Sequence, residues 1–176
     1  MSFINGTKIN KHNQLEIGGV SVPDLVSRYG TPLYVMDEAL IRRNCRRWKE
    51  AVGDWGLVAY AAKAFCTTAI CRLIQQEGLA LDLVSGGELA TALAANFPVE
   101  QIYLNGNNKS TEELELAVQA QVGHIIVDNF LELQLLEEIA AQQGRSVKIL
   151  LRICPGIEAD THEYIQTGQL DSKFGF

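Results

Sequence analysis

From Trp55 onward, hydrophobic and polar positions follow one rhythm, a short apolar run and then a longer segment with helical spacing. The apolar runs predict strands over 57–62, 79–84, 101–104, 124–127 and 147–153. Between them, helices are predicted over 67–77, 87–95, 111–121 and 131–143. Stop signals fall where the pattern needs them. Gly78 and Gly144 follow the first and last of these helices, and Pro155-Gly156 ends the fifth strand. Ser110 followed by Glu113 predicts a capping box at the start of the third helix.

Strands that are apolar throughout and joined through helices belong in a parallel sheet covered on both faces. An open doubly wound sheet and a (β/α)8 barrel both satisfy this. The open-sheet nucleotide fingerprints are missing: no G-x-G-x-x-G follows the first strand, and Gly106-Asn107-Asn108-Lys109-Ser110 lacks the first glycine of a phosphate loop. The expected fold is therefore α/β, the first four to five β/α units of a TIM-like barrel. A barrel takes about 250 residues, and the rhythm here covers roughly half of its cycle, so the chain is expected to be a piece of a longer protein. Residues 1–36 do not follow the rhythm. Short strands over 14–17 and 32–35 flank a small helix over 23–29, and the segment is assigned to a second sheet, leaving 37–176 to the barrel.

Hydrophobic residues at 47% and charged residues at 20% are globular composition. The net charge of -6 comes with no basic tract, which gives no footprint for nucleic acid. No apolar run approaches the about 20 residues of a membrane helix, and the polar first thirteen residues lack the apolar core of a signal peptide. Cys45, Cys66, Cys71 and Cys154 form no C-x-x-C pair, and His12, His124 and His162 are scattered, so no metal site is expected. Free thiols and a cytoplasmic setting fit best.

Polar residues sit at the carboxyl ends of the predicted strands: Lys63 after Tyr60-Ala61-Ala62, Asp82 within Leu81-Asp82-Leu83, and Arg152 after Leu150-Leu151. In a parallel barrel those ends converge on the face where active sites are built. A lysine buried in an apolar strand is costly to keep charged, and a neutral amine forms a Schiff base with an aldehyde. The alternative is a lysine that reaches solvent at a strand end. Asp82 as a strand-end cap and Arg152 as a structural ion-pair partner stay open on the same footing. His162 lies in a polar connection over 158–171, longer than most βα loops and of a length that suits a lid, and it is not counted as catalytic.

Tyr60-Ala61-Ala62-Lys63-Ala64 resembles the Y-A-x-K segment of the barrel-type pyridoxal-phosphate decarboxylases, the family of ornithine, arginine and diaminopimelate decarboxylases. Leu81-Asp82-Leu83-Val84-Ser85-Gly86-Gly87-Glu88 is similar to the diaminopimelate branch, as is Gly106-Asn107-Asn108-Lys109-Ser110. Arg152, Pro155-Gly156, Thr161-His162-Glu163-Tyr164-Ile165 and Asp171-Ser172-Lys173-Phe174-Gly175-Phe176 resemble that branch again, with Cys154 where asparagine is commoner. The resemblance runs from about residue 15 to the last, in ordered motifs.

The resemblance implies pyridoxal 5'-phosphate as cofactor, held by Lys63 through a Schiff base. Asp82 would lie beside the linkage and Arg152 near the ring. It also implies decarboxylation of meso-2,6-diaminopimelate to L-lysine and CO2 by a homodimer. The family's ring-stacking histidine, glycine-rich phosphate loop, glutamate at the ring nitrogen and partner-subunit cysteine fall beyond Phe176. In the family, the N-terminal strands join a C-terminal β-domain. The rival readings are a decarboxylase for arginine, ornithine or carboxynorspermidine, a pyridoxal-phosphate protein without turnover, and a nucleotide-binding open sheet. A plastid setting would apply to a plant source.

Overall fold

The structure, a computed structural model, describes residues 6–155 and 174–176. Contacts divide the chain into Met1–Gly56 and Leu57–Phe176.

In the first unit, β1 (Thr7–Ile9), β2 (Leu15–Ile17) and β3 (Val20–Ser21) form an antiparallel sheet in that order. The Asn10 side chain accepts from the His12 and Gln14 amides at 2.9 and 3.0 Å, which folds the chain back between β1 and β2. Gly18 and Gly19, at φ of +57° and +85°, make the two-residue link from β2 to β3, a left-handed pair that suits glycine. Ser21 then caps α1 (Val22–Tyr29) by accepting from the Asp24 amide.

Two readings of this unit change. Pro32 to Val35 forms no strand, because proline has no amide to give a ladder, and Tyr34 stands 95% exposed. The fifteen-residue α2 (Glu38–Val52), capped by Asp37 on the Leu40 amide at 3.0 Å, was not anticipated. Its signal was available in Ile41, Cys45, Trp48 and Val52, which recur at helical spacing behind that cap.

The second unit carries the parallel sheet. β4 (Ala59–Ala61), β5 (Ala80–Leu83), β6 (Ile102–Leu104), β7 (His124–Val127) and β8 (Ile149–Leu151) lie side by side in chain order. All neighbours are parallel, and the order never reverses, so the sheet has no switch point of the kind at which open sheets bind nucleotides. The connecting helices are α3 (Thr68–Gln76), α4 (Gly86–Ala94), α5 (Thr111–Ala120) and α6 (Phe130–Gln143). Each packs on the next, as successive right-handed crossovers in one direction require.

Their ends are written locally. Thr67, Ser85, Ser110 and Asn129 each cap a helix by accepting an amide three residues on, and Ser110 with Glu113 forms the expected capping box. Gly123 fits where no other residue can: its amide donates to the Val99 carbonyl at 2.7 Å, and a Cβ there would run into the Glu100 carbonyl oxygen.

The expectation of strands covered on both faces needs correction. Leu81, Leu83, Ile102, Leu104, Ile125 and Val127 are at most 1% exposed, whereas Asp82, Tyr103, His124 and Ile126 between them are half-buried. Across β5, β6 and β7 one face is dry and the other is partly open, whereas β8 at the edge is exposed throughout. Among the described residues, no helix is long and apolar enough to cross a membrane.

Candidate active site

Lys63 lies just past β4, in a single tight turn, Ala62–Ala64. The Tyr60 hydroxyl donates to the Phe65 carbonyl at 3.0 Å across that turn. Lys63 was expected at the carboxyl end of the first barrel strand, with burial and reach to solvent both open. It is exposed, because the chain leaves the sheet one residue before it, and it shows no hydrogen-bond or ion-pair partner among the described residues.

Asp82 sits in β5, in register with Ala61 on one side and Tyr103 on the other, and Tyr103 is in register with His124. Arg152 follows β8 directly and donates its amide to the Val127 carbonyl at 2.9 Å. These three residues of three different strand ends are brought together electrically at Asp82. Burial pushes the Asp82 carboxyl above the usual aspartate range, while a hydrogen bond from Asn105 and the charges of Lys63 and Arg152 pull it back without cancelling the effect. The Oδ1 atom of Asp82 is buried with no partner among the described residues.

Several residues of this face were not read as site residues. Asn105 orients on Asp82 while its Oδ1 accepts from the Gly106 amide at 2.9 Å. The Tyr103 and His124 rings stack at 4.8 Å and 8° on the same row as Asp82. Asp128, 2% exposed, pairs with Arg152 at 3.3 Å, and the guanidinium lies 4.0 Å over the Phe174 ring. The available signal was positional: Asp128 directly follows the fourth strand, at the same end as the three predicted residues. His162 lies outside the described residues, as do the motif residues from 156 to 173.

A free amine, a carboxylate with an open acceptor and a fixed guanidinium therefore share one end of the sheet. Residues 38–176 match the family described as pyridoxal-dependent decarboxylase, pyridoxal binding domain. The chain belongs to this family. Within it, the chain is 55% identical to the diaminopimelate decarboxylase of Bacillus subtilis over 99% of its own length and 40% of that protein's. It is 49% identical to the diaminopimelate decarboxylase of Mycobacterium tuberculosis over 90% of its length and 36% of that protein's. It spans about 40% of the length of curated relatives such as these.

Among solved structures of the decarboxylases, the diaminopimelate decarboxylase from M. jannaschii with L-lysine superposes with a TM-score of 0.83 at 38% identity, covering 97% of this chain and 41% of that one. The lysine/ornithine decarboxylase of Vibrio vulnificus shares the fold, with a TM-score of 0.68 at 22% identity over 78% of this chain and 36% of that one.

The residues present fit the group this family binds. The Lys63 amine is unengaged, as condensation with an aldehyde requires, and Asp82 offers a buried acceptor that nothing described here satisfies.

Proposed function

We propose that the complete protein is a pyridoxal-phosphate decarboxylase that converts meso-2,6-diaminopimelate to L-lysine and CO2. The observation that carries the chemistry is the unengaged Lys63 amine within electrostatic reach of the Asp82 carboxylate, whose Oδ1 has no donor among the described residues. The substrate rests on the similarity to diaminopimelate decarboxylases across nearly the whole chain.

Bound pyridoxal phosphate supplies an electron sink for the pair released when CO2 leaves. Lys63 binds it through Nζ. Asp82 presents Oδ1 to a donor on the bound group and so sets its orientation, held in place by Asn105. Arg152 adds positive charge at the same end of the sheet, steadied by Asp128 and Phe174.

The unreversed strand order and the single dry face support a partial (β/α)8 barrel whose inner side is the half-buried face. Residues 1–36 we read as a segment that pairs with a further β-domain, since its three short strands form a small sheet separate from the parallel one. Four cysteines without a disulfide suit a reducing, cytoplasmic setting, and the family resemblance supports a homodimer.

The test uses the complete protein with pyridoxal phosphate, borohydride reduction and peptide mass spectrometry. The reduced cofactor is expected on Lys63, with CO2 released from meso-diaminopimelate in a parallel assay. A label on another lysine would defeat the assignment of Lys63. Labelling without CO2 release would defeat the substrate.

A further inference from the structure

Asp128, which steadies Arg152, is itself held from behind by buried polar groups that no step above uses. The first is Lys109, whose side chain is 1% exposed. The Lys109 Nζ donates to the Gly106 carbonyl at 2.7 Å and the Ile126 carbonyl at 2.8 Å, and it is ion-paired with Glu132 Oε1 at 2.8 Å. Those partners belong to the turn after β6, to β7 and to the first turn of α6.

Glu132 passes the constraint on. Its Oε2 accepts from the Asp128 amide at 3.2 Å, while its own amide donates to the Asn129 side chain at 2.9 Å. The backbone of Asp128 is thus tied to α6. Its carboxylate, 3% exposed, reaches Arg152 Nη1 at 3.3 Å.

Stability alone gives no reason for this arrangement, since apolar residues often replace a buried ion pair at no loss. What these groups do is fix where a carboxylate stands. Arg152 acts on two carboxylates, Asp128 by contact and Asp82 through its charge. Among the described residues, Asp82 is the other carboxylate on which the Arg152 charge acts, and with Asp128 displaced, pairing there would occupy the acceptor that the cofactor needs.

We propose that Asp128 is the positioning residue of Arg152, that Lys109 and Glu132 form the clamp that fixes Asp128, and that together they keep Asp82 Oδ1 open for the cofactor. This rests on the reading of the site as a pyridoxal-phosphate site.

The experiment titrates pyridoxal phosphate into the complete protein and follows visible circular dichroism, with thermal melting of the cofactor-free form alongside. Asp128→Asn keeps shape and removes the charge that holds Arg152. Cofactor binding is expected to weaken about tenfold, the order lost with a hydrogen bond to a charged group, with an altered dichroic band and little change in melting. The double variant Lys109→Met with Glu132→Leu removes the clamp without stranding a charge, and the same loss of affinity and altered band are expected.

A folded Asp128→Asn protein with wild-type affinity and wild-type dichroism would overturn the proposal, and it decides alone if the double variant fails to fold. A folded double variant with wild-type dichroism would also overturn it, since the clamp would then be idle. Absence of cofactor uptake by the wild-type protein is a different result, which removes the pyridoxal-phosphate reading itself.

Discussion

Lys63 and Lys109 each stand in the turn that follows a strand of the same parallel sheet, and the sheet treats them in opposite ways. Lys63 follows β4 by two residues and is exposed, with no partner among the described residues. Lys109 lies in the connection from β6 to α5, 7% exposed, donating to two backbone carbonyls and ion-paired with Glu132. A cation that stays charged when buried needs compensating partners. An amine that is to react with a ligand must be left uncompensated. One end of the sheet therefore holds a lysine committed to structure and a lysine kept available, and what separates them is the number of acceptors the fold places within reach.

The sharpest way to break this comparison is Lys63→Ala in the complete protein. Turnover of meso-diaminopimelate is expected to vanish, while the melting temperature of the cofactor-free protein stays unchanged, because the side chain it removes is exposed. A large loss of stability would show that Lys63 has a structural role after all. Lys109→Met reverses the pattern. It leaves Glu132 buried without its counter-ion, and unfolding by denaturant should show a loss of about 3–5 kcal/mol. A loss as small as that of a surface substitution would put Lys109 in the same class as Lys63.

Ser110→Ala separates the clamp from the helix start beside it. The hydroxyl caps α5 and accepts from the Glu113 amide at 3.3 Å, and its removal should cost about 1 kcal/mol. Visible dichroism of the bound cofactor should not change. A changed band would mean that the cap, rather than Lys109, governs this turn.

The smallest effect concerns Asp82. Its carboxyl is raised in the folded state, chiefly by burial, so folding favours the protonated form. That preference is fully present below the ordinary aspartate value of about 3.9 and fades as pH rises through the folded value, above which the buried charge opposes folding. Asp82→Asn should therefore make the cofactor-free protein slightly more stable at neutral pH, with the gain shrinking as pH falls through the carboxylate range. A gain that grew toward low pH would reverse the sign of the argument.

Much of this was legible in the chain. Ser110 and Glu113 specified a helix start, Gly144 a helix end in the left-handed region, and the run 124–127 a strand with the observed bounds. Lys63, Asp82 and Arg152 were singled out by their places at strand ends, and their charges do meet at Asp82. The exposure of Lys63 was not legible, because it depends on the residue at which the chain leaves the sheet. Nor was the difference between Leu81 and Asp82. Both stand in one apolar run, yet one is fully buried and the other half-buried, because only the first faces the helix layer.

By itself the sequence determined the elements whose bonds close within one turn or one strand: caps, glycine stops and apolar runs, where donor and acceptor are a few residues apart. It also determined the family, through motifs that are contiguous in the chain. The tertiary structure decided which of two strand-end lysines is enclosed, that Asp128 makes contact with Arg152, and that Lys109 ties the turn after β6 to β7 and α6. The physical reason is separation. Asp128 and Arg152 are 24 residues apart, and an interaction over that distance exists only once parallel register brings two strand ends to the same height.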